Sequence, residues 1–271
     1  GSWATVNSMN TARKALGSAG TQTAALAFGG AAPADSVLTE SYNGTNWTEV
    51  NDLNTAQGER TGVGATNTAA LAFAGNSALT ETWNGTNWTE VNDLNTARFG
   101  AAGAGTNTAA LAIGGSASGK VITELWNGTN WTEVNDLNTG RRYLAGCGIT
   151  TAALAFGGAV VPPLSAATET WNGTNWTEVN DLNTARAKLG GVGTNTAALA
   201  FGGQIPGASA LTESWNGTNW TSVNNLNTAR EVLGGAGTNT SALAFGGDVP
   251  PVTAATEEWN DGPQVKTIDT D

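Results

Sequence analysis

The chain has 271 residues, of which 37 are glycine, 39% are apolar and only 12% are charged, a profile of short strands and tight turns that excludes a helical bundle. Its 22 acidic against 11 basic residues leave a formal charge of -11, which disfavours nucleic acid and anionic membranes because phosphate binding needs clustered cations. The absence of histidine removes histidine-based acid–base catalysis and the commonest metal ligand, and a lone cysteine, Cys147, cannot form an internal disulfide.

In chain order, Trp3-Ala4-Thr5-Val6-Asn7 followed by Asn10-Thr11-Ala12-Arg13 matches Trp220-Thr221-Ser222-Val223-Asn224 and Asn227-Thr228-Ala229-Arg230, so the chain starts in the middle of a repeat. Gly1-Ser2 reads as a cloning remnant. The stretch Ala24-Ala25-Leu26-Ala27-Phe28-Gly29-Gly30 then recurs from Ala69, Ala109, Ala152, Ala197 and Ser241, at spacings of 45, 40, 43, 45 and 44 residues. A period in this range predicts four-stranded propeller blades. Leu26 and Phe28 alternate with Ala25 and Ala27, giving a strand with one large and one small apolar face, covered on both sides by stacked blades.

Each unit reads as four strands, a to d from the axis outward. Strand a is glycine-rich, as in Leu189-Gly190-Gly191-Val192-Gly193, because innermost strands crowd one another and the axis. Strand b is the recurring apolar stretch, strand c carries Thr-Glu and an aromatic, as in Leu79-Thr80-Glu81-Thr82-Trp83, and strand d is Trp88-Thr89-Glu90-Val91. Asn84-Gly85-Thr86-Asn87 between c and d is a hairpin signal. Cys147 takes a slot held elsewhere by small apolar residues and reads as core.

Counting aromatics predicts closure. Tyr42, Trp83, Trp126, Trp171, Trp215 and Trp259 mark six strands c, and Trp3, Trp47, Trp88, Trp131, Trp176 and Trp220 six strands d. The expected fold is all-β, a single six-bladed β-propeller domain over 1–271 with four antiparallel strands per blade, the last blade closed by the N-terminal strand. Val265-Lys266-Thr267-Ile268, within the 261–271 tail, is the competing closing strand.

The Gly-Gly pair ending strand b, the aromatic of strand c, the Trp of strand d and the Arg opening the next unit resemble kelch repeats over residues 3–260. Ala74-Gly75 replaces one Gly-Gly, Gln57 replaces one Arg, and Trp stands where kelch repeats usually carry Tyr. The chain thus resembles a divergent kelch-like group, and its Asn/Thr/Gly-rich wording is similar to repeat proteins of phages and environmental bacteria. The resemblance implies a propeller fold that hosts sugar oxidases, sialic acid epimerases and protein-binding adaptors alike, so it names no function. No catalytic constellation of that range carries over onto these residues.

Glu40, Glu81, Glu124, Glu169, Glu213 and Glu257 recur in strand c, and Arg13, Arg98, Arg141, Arg186 and Arg230 at the head of strand a. Six-fold identity predicts a structural bridge rather than six sites. Asp52, Asp93, Asp136 and Asp181, with Asn225 and Ser8 in the remaining equivalents, read as turn formers too dispersed to share a cation. The repeated Asn-Gly-Thr and Asn-Trp-Thr triplets are formal glycosylation sequons that turn geometry explains. No metal, cofactor or catalytic residue is expected.

Variation collects on one face, formed by the d-to-a connections and by the b-to-c inserts 31–37, 76–78, 116–121, 159–166, 204–210 and 248–254. The residues following each recurring Arg should ring the channel mouth there. Lys14, Glu59, Arg60, Phe99, Arg142, Tyr143, Lys188 and Glu231 are therefore the expected ligand-binding residues. The expected partner is a carbohydrate or a protein, bound by a monomer with no membrane insertion, as in host-surface adhesion by an extracellular or virion-associated appendage. A purely structural propeller and, less readily, a carboxylate-based glycan-acting enzyme using Glu59 or Glu231 beside Arg60 or Arg142 are the alternatives.

Overall fold

The computed structural model describes residues 1–115, 121–160 and 163–262. Among them lie 24 strands in six antiparallel four-stranded sheets and no helix. After β1 (Ser2–Val6), blade 1 comprises β2 (Gly17–Thr21), β3 (Ala24–Phe28), β4 (Thr39–Tyr42) and β5 (Trp47–Val50). Blade 2 is β6 (Thr61–Thr66), β7 (Ala69–Phe73), β8 (Thr80–Trp83) and β9 (Trp88–Val91), and blade 3 is β10 (Ala102–Gly105), β11 (Ala110–Ile113), β12 (Thr123–Trp126) and β13 (Trp131–Val134). Blade 4 is β14 (Ala145–Ile149), β15 (Ala152–Phe156), β16 (Thr168–Trp171) and β17 (Trp176–Val179), and blade 5 is β18 (Gly190–Gly193), β19 (Ala198–Phe201), β20 (Thr212–Trp215) and β21 (Trp220–Val223). Blade 6 joins β22 (Gly234–Gly237), β23 (Ser241–Phe245) and β24 (Thr256–Asn260) to β1, with Trp3 opposite Trp259 and Val6 opposite Thr256. The N-terminal strand thus closes the ring and covers the edge β24 would expose; the competing stretch 265–268 lies outside the described residues.

The core is a set of layers between blades. Leu154 and Phe156 of blade 4 pack with Ala198 and Ala200 of blade 5, the large face of one strand b against the small face of the next. Each strand-d Trp also reaches back to the preceding blade. Trp47 Nε1 donates to Thr256 Oγ1 (3.1 Å), Trp88 to Thr39 (3.0 Å) and Trp3 to Thr212 (3.1 Å), and the remaining three repeat the pattern. Five of the rings pack against strand-b phenylalanines, as Trp88 does edge-on on Phe28 at 4.8 Å, and Trp176 packs in the layer that holds Ile113 instead. The strand-a glycines serve this crowding: a Cβ on Gly62 would lie 2.5 Å from Phe28 Cζ, and one on Gly191 2.6 Å from Phe156 Cζ. At these two positions the neighbouring blade imposes glycine, whereas at Gly17 and Gly190 the Phe28 and Phe201 rings of the same blade do. Cys147 is buried in the layer between blades 4 and 5, and burial pushes its thiol up to about 12.

The recurring acids and arginines form one latch per blade. Arg13 Nη2 meets Glu40 Oε1 at 2.9 Å, Arg13 Nη1 donates to the Gly29 (2.9 Å) and Leu38 (2.6 Å) carbonyls, and Glu40 Oε2 accepts from Asn10 N (2.7 Å) and Nδ2 (2.9 Å). The chain leaving blade 6 is thereby tied onto strand c of blade 1. Blade 2 corrects the reading that Gln57 interrupts the series. There Arg60, three residues further on, reaches the same slot and pairs with Glu81 at 2.7 Å, while Gln57 is buried and accepts from Ser77 Oγ. The acids of the d-to-a connections are not free turn formers: Asp52 Oδ1 accepts the Thr39 N–H at 3.1 Å, and Asp93, Asp136, Asp181 and Asn225 do likewise.

Candidate functional site

The connections around the channel mouth carry a backbone feature that repeats in all six blades. Ala15, Glu59, Gly100, Tyr143, Lys188 and Val232 all hold φ between 54° and 61°. That region costs an L-residue about 1–2 kcal/mol, and five of the six are not glycine. Four blade-to-blade hydrogen bonds repay part of it: Ala15 N donates to Val232 O (2.9 Å), Val232 N to Lys188 O (2.9 Å), Lys188 N to Tyr143 O (2.8 Å) and Tyr143 N to Gly100 O (2.7 Å). The six residues line a cavity of about 160 Å³ at the top of the channel. The residues just before them lie further out, where Lys14, Arg142, Ala187 and Glu231 form bridges with the b-to-c inserts.

The side chains on this ring are lopsided. Tyr143 of blade 4 donates its hydroxyl to Glu59 Oε1 of blade 2 at 3.0 Å, passing over blade 3. Gly100 makes that reach possible, since a Cβ there would sit 2.9 Å from Tyr143 Cδ1. Phe99 packs beside Tyr143 with ring centroids 5.9 Å apart. The Arg142 guanidinium lies 5.4 Å from the Tyr143 centroid and 5.8 Å from that of Phe99, and Lys188 Nζ lies 5.8 Å from Tyr143. Lys188 also pairs with Glu231 at 3.2 Å, and Lys14 with Asp248 at 2.6 Å. Blades 6 and 1 contribute only Val232 and Ala15 to the inner ring.

The structure therefore brings Glu59, Phe99, Arg142, Tyr143, Lys188 and Glu231 into one chain of contacts. Lys14 stands apart on its own ion pair, and the guanidinium of Arg60 is withdrawn into the latch of blade 2, leaving its backbone at the mouth. The ring of left-handed residues left no trace in the sequence apart from Gly100, because alanine, glutamate, tyrosine, lysine and valine give no hint of positive φ. The opposite end of the channel is lined by glycine, alanine and valine with Ser18 and Cys147, and offers little recognition chemistry. No group of three or more carboxylates or thiols able to hold a metal occurs among the described residues.

Burial, reinforced by the Glu59 charge and hydrogen bond, pushes the Tyr143 phenol up to about 12; burial and Glu258 do the same for Tyr42. Tyr143 is thus a neutral donor at physiological pH, not a base. These are the only two tyrosines, so phenolate absorbance of the folded protein should rise near pH 12, against roughly 10 after denaturation. Because the folded values are raised, this contribution to stability is complete below pH 10 and is lost as pH climbs towards 12. A native titration centred near 10 would contradict the burial of the two phenols.

No protein-family model matches the sequence, and no curated protein sequence matches it. Many solved structures do, among them that of YjhT, with a TM-score of 0.76 and 13% identity over 93% of this chain and 95% of that one. At this identity the likeness establishes the six-bladed propeller fold, consistent with a binding or structural module. No helix among the described residues is long and apolar enough to cross a membrane.

Proposed function

We propose that the protein is a non-enzymatic recognition module that binds a carbohydrate or protein partner through the channel mouth of its variable face. The observation that carries this reading is the gathering of Glu59, Phe99, Arg142, Tyr143, Lys188 and Glu231 on one half of a mouth whose scaffold is otherwise six-fold repetitive. Scaffold positions repeat because each blade solves the same packing problem. A side-chain network that occurs once answers to something other than packing.

Size favours a sugar over a folded surface. A cavity of about 160 Å³ is comparable to one that holds a single benzene ring, roughly 150 Å³. It admits one protruding ring, such as the terminal residue of a surface glycan, and host-surface adhesion by a phage or bacterial appendage is the concrete setting this suits. Catalysis is less well supported. Glycoside hydrolysis needs two carboxyls about 5–10 Å apart, one of them protonated, whereas Glu59 and Glu231 are engaged by Tyr143 and Lys188.

The test is a glycan array run beside a hydrolysis assay, with wild type and the triple variant F99A/R142A/Y143A. Selective binding by the wild type, lost in the variant at nearly unchanged Tm and without hydrolysis, is the expected outcome. Binding that survives the triple substitution would refute the mouth as the site. A complete lack of selectivity would instead favour a structural propeller.

A further inference from the structure

The two faces of the propeller come from the same repeats and have diverged differently. On the face with the channel mouth, the loops carry Lys14, Asp35, Glu59, Arg142, Glu231 and Asp248. The opposite face is built from the a-to-b turns, such as Thr194-Asn195-Thr196, and the c-to-d hairpins, such as Asn216-Gly217-Thr218-Asn219, whose tips are exposed. Among the described residues, none of these six turns and five hairpins holds an ionisable side chain, and only Gln22 and Ile149 depart from threonine, asparagine and glycine. In blade 6, where the chain ends meet, Asp261 is neutralised by the Gly1 ammonium at 2.8 Å. Turn geometry asks for Asn-Gly, not for an uncharged face. A free surface ordinarily mixes charges of both signs, whereas the core of a protein–protein interface is depleted of them.

The charge map also names the occupant. Two copies that each carry -11 repel wherever acids face one another. Contact through the rim opposes like charges, because Glu49, Glu90, Glu133 and Glu178 are exposed on the outer strands. Blades 5 and 6 have Ser222 and Thr5 there, but β21 and β1 are edges of four and five residues, short of the roughly 20–30 residues a side that a stable interface uses. The turn face spans all six blades. Its hydroxyls and carboxamides supply donors and acceptors alike, so the face is its own complement under a two-fold axis. Ile149, 55% exposed where the other five blades have threonine, adds an apolar contact. It follows Gly148 at an end of the channel lined mostly by glycine, alanine and valine, so a coaxial partner meets it with apolar surface.

We propose that two copies of the chain pair back to back through this turn face. Their mouths then open in opposite directions, and one dimer bridges two ligand-bearing surfaces. That consequence rests on the mouth being a binding site; the pairing itself does not.

Sedimentation velocity of the whole chain over a dilution series tests the pairing without any ligand. The wild type should pass from 27.3 kDa to twice that mass as concentration rises. Added salt should tighten the pair, because screening weakens the repulsion between two anions and a neutral interface has no ion pairs to lose. The variant T129E/T218E puts acids on two exposed hairpin tips. It should weaken association at least about tenfold at unchanged Tm, since like charges across an interface are costly. Ala34→Glu on the mouth face and Ser222→Glu on the rim should leave association as it is. A wild type that stays at 27.3 kDa at every concentration and salt overturns the proposal. So does a pair that Ala34→Glu or Ser222→Glu breaks and T129E/T218E does not. Pairing by a chain whose mouth binds no glycan would uphold the dimer and refute only its bridging role.

Discussion

Replacing Arg141 by methionine should cost roughly 3–5 kcal/mol of folding stability, the loss expected when one partner of a buried ion pair is removed. Arg141 and Glu169 are both fully inaccessible and lie 2.8 Å apart. Burial lowers the arginine's pKa, and the charge and hydrogen bond of Glu169 oppose that shift. Without the guanidinium, Glu169 keeps its bonds from Asn138 N and Nδ2 but loses its counter-charge, the Gly157 carbonyl loses the arginine's N–H, and the Ala167 carbonyl is left with the Gly157 N–H alone. Against a typical total of about 5–15 kcal/mol, one latch of six is then a large fraction. Urea denaturation followed by tryptophan fluorescence measures it. The double variant R141M/E169Q, which removes both charges, should recover much of the loss. A cost under about 1 kcal/mol would mean that the pair behaves like an exposed one.

Removing residues 1–9 should do more damage, leaving a chain that is unfolded or aggregated at ambient temperature. The deletion strips β1 from β24, exposing a full strand edge in blade 6. It also removes Trp3, 6% exposed, packed on Phe201 at 5.1 Å and bonded to Thr212. A buried Trp truncated to Ala costs roughly 3–5 kcal/mol, so Trp3→Ala alone should lower the denaturation midpoint markedly. Deleting 264–271 should cost little by comparison, because β24 already has its partner. Equal damage from both truncations would show that β1 is not the sole closing strand.

The scaffold was largely legible in the sequence because each of its parts repeats. Six copies of one apolar stretch, six strand-c aromatics and six strand-d tryptophans report blade number and closure, and six Glu set against five Arg pointed to a structural bridge. The reading failed at blade 2, where alignment by position put Gln57 in the arginine slot. A chain can detour by three residues and still deliver Arg60 to the same point, a substitution in space that no linear comparison displays. The strand-a glycines were read as yielding to crowding between innermost strands and at the axis; at Gly191 the nearest atom is the Phe156 ring of the adjoining blade, a contact between residues 35 positions apart in sequence.

The mouth was legible only as a place. Variation after each arginine pointed to Phe99, Arg142 and Tyr143, but not to the six left-handed residues or to the four backbone hydrogen bonds that link five of them, since the conformation is tied to neighbouring blades and not to local preference. Nor could it show that Tyr143 crosses Gly100 to meet Glu59, 84 residues away. Fold, blade number and latch are thus written in the sequence by repetition, because identical local interactions recur at a fixed period. The side-chain network of the mouth is written once, by residues from five blades, and only ring closure brings them within reach of one another.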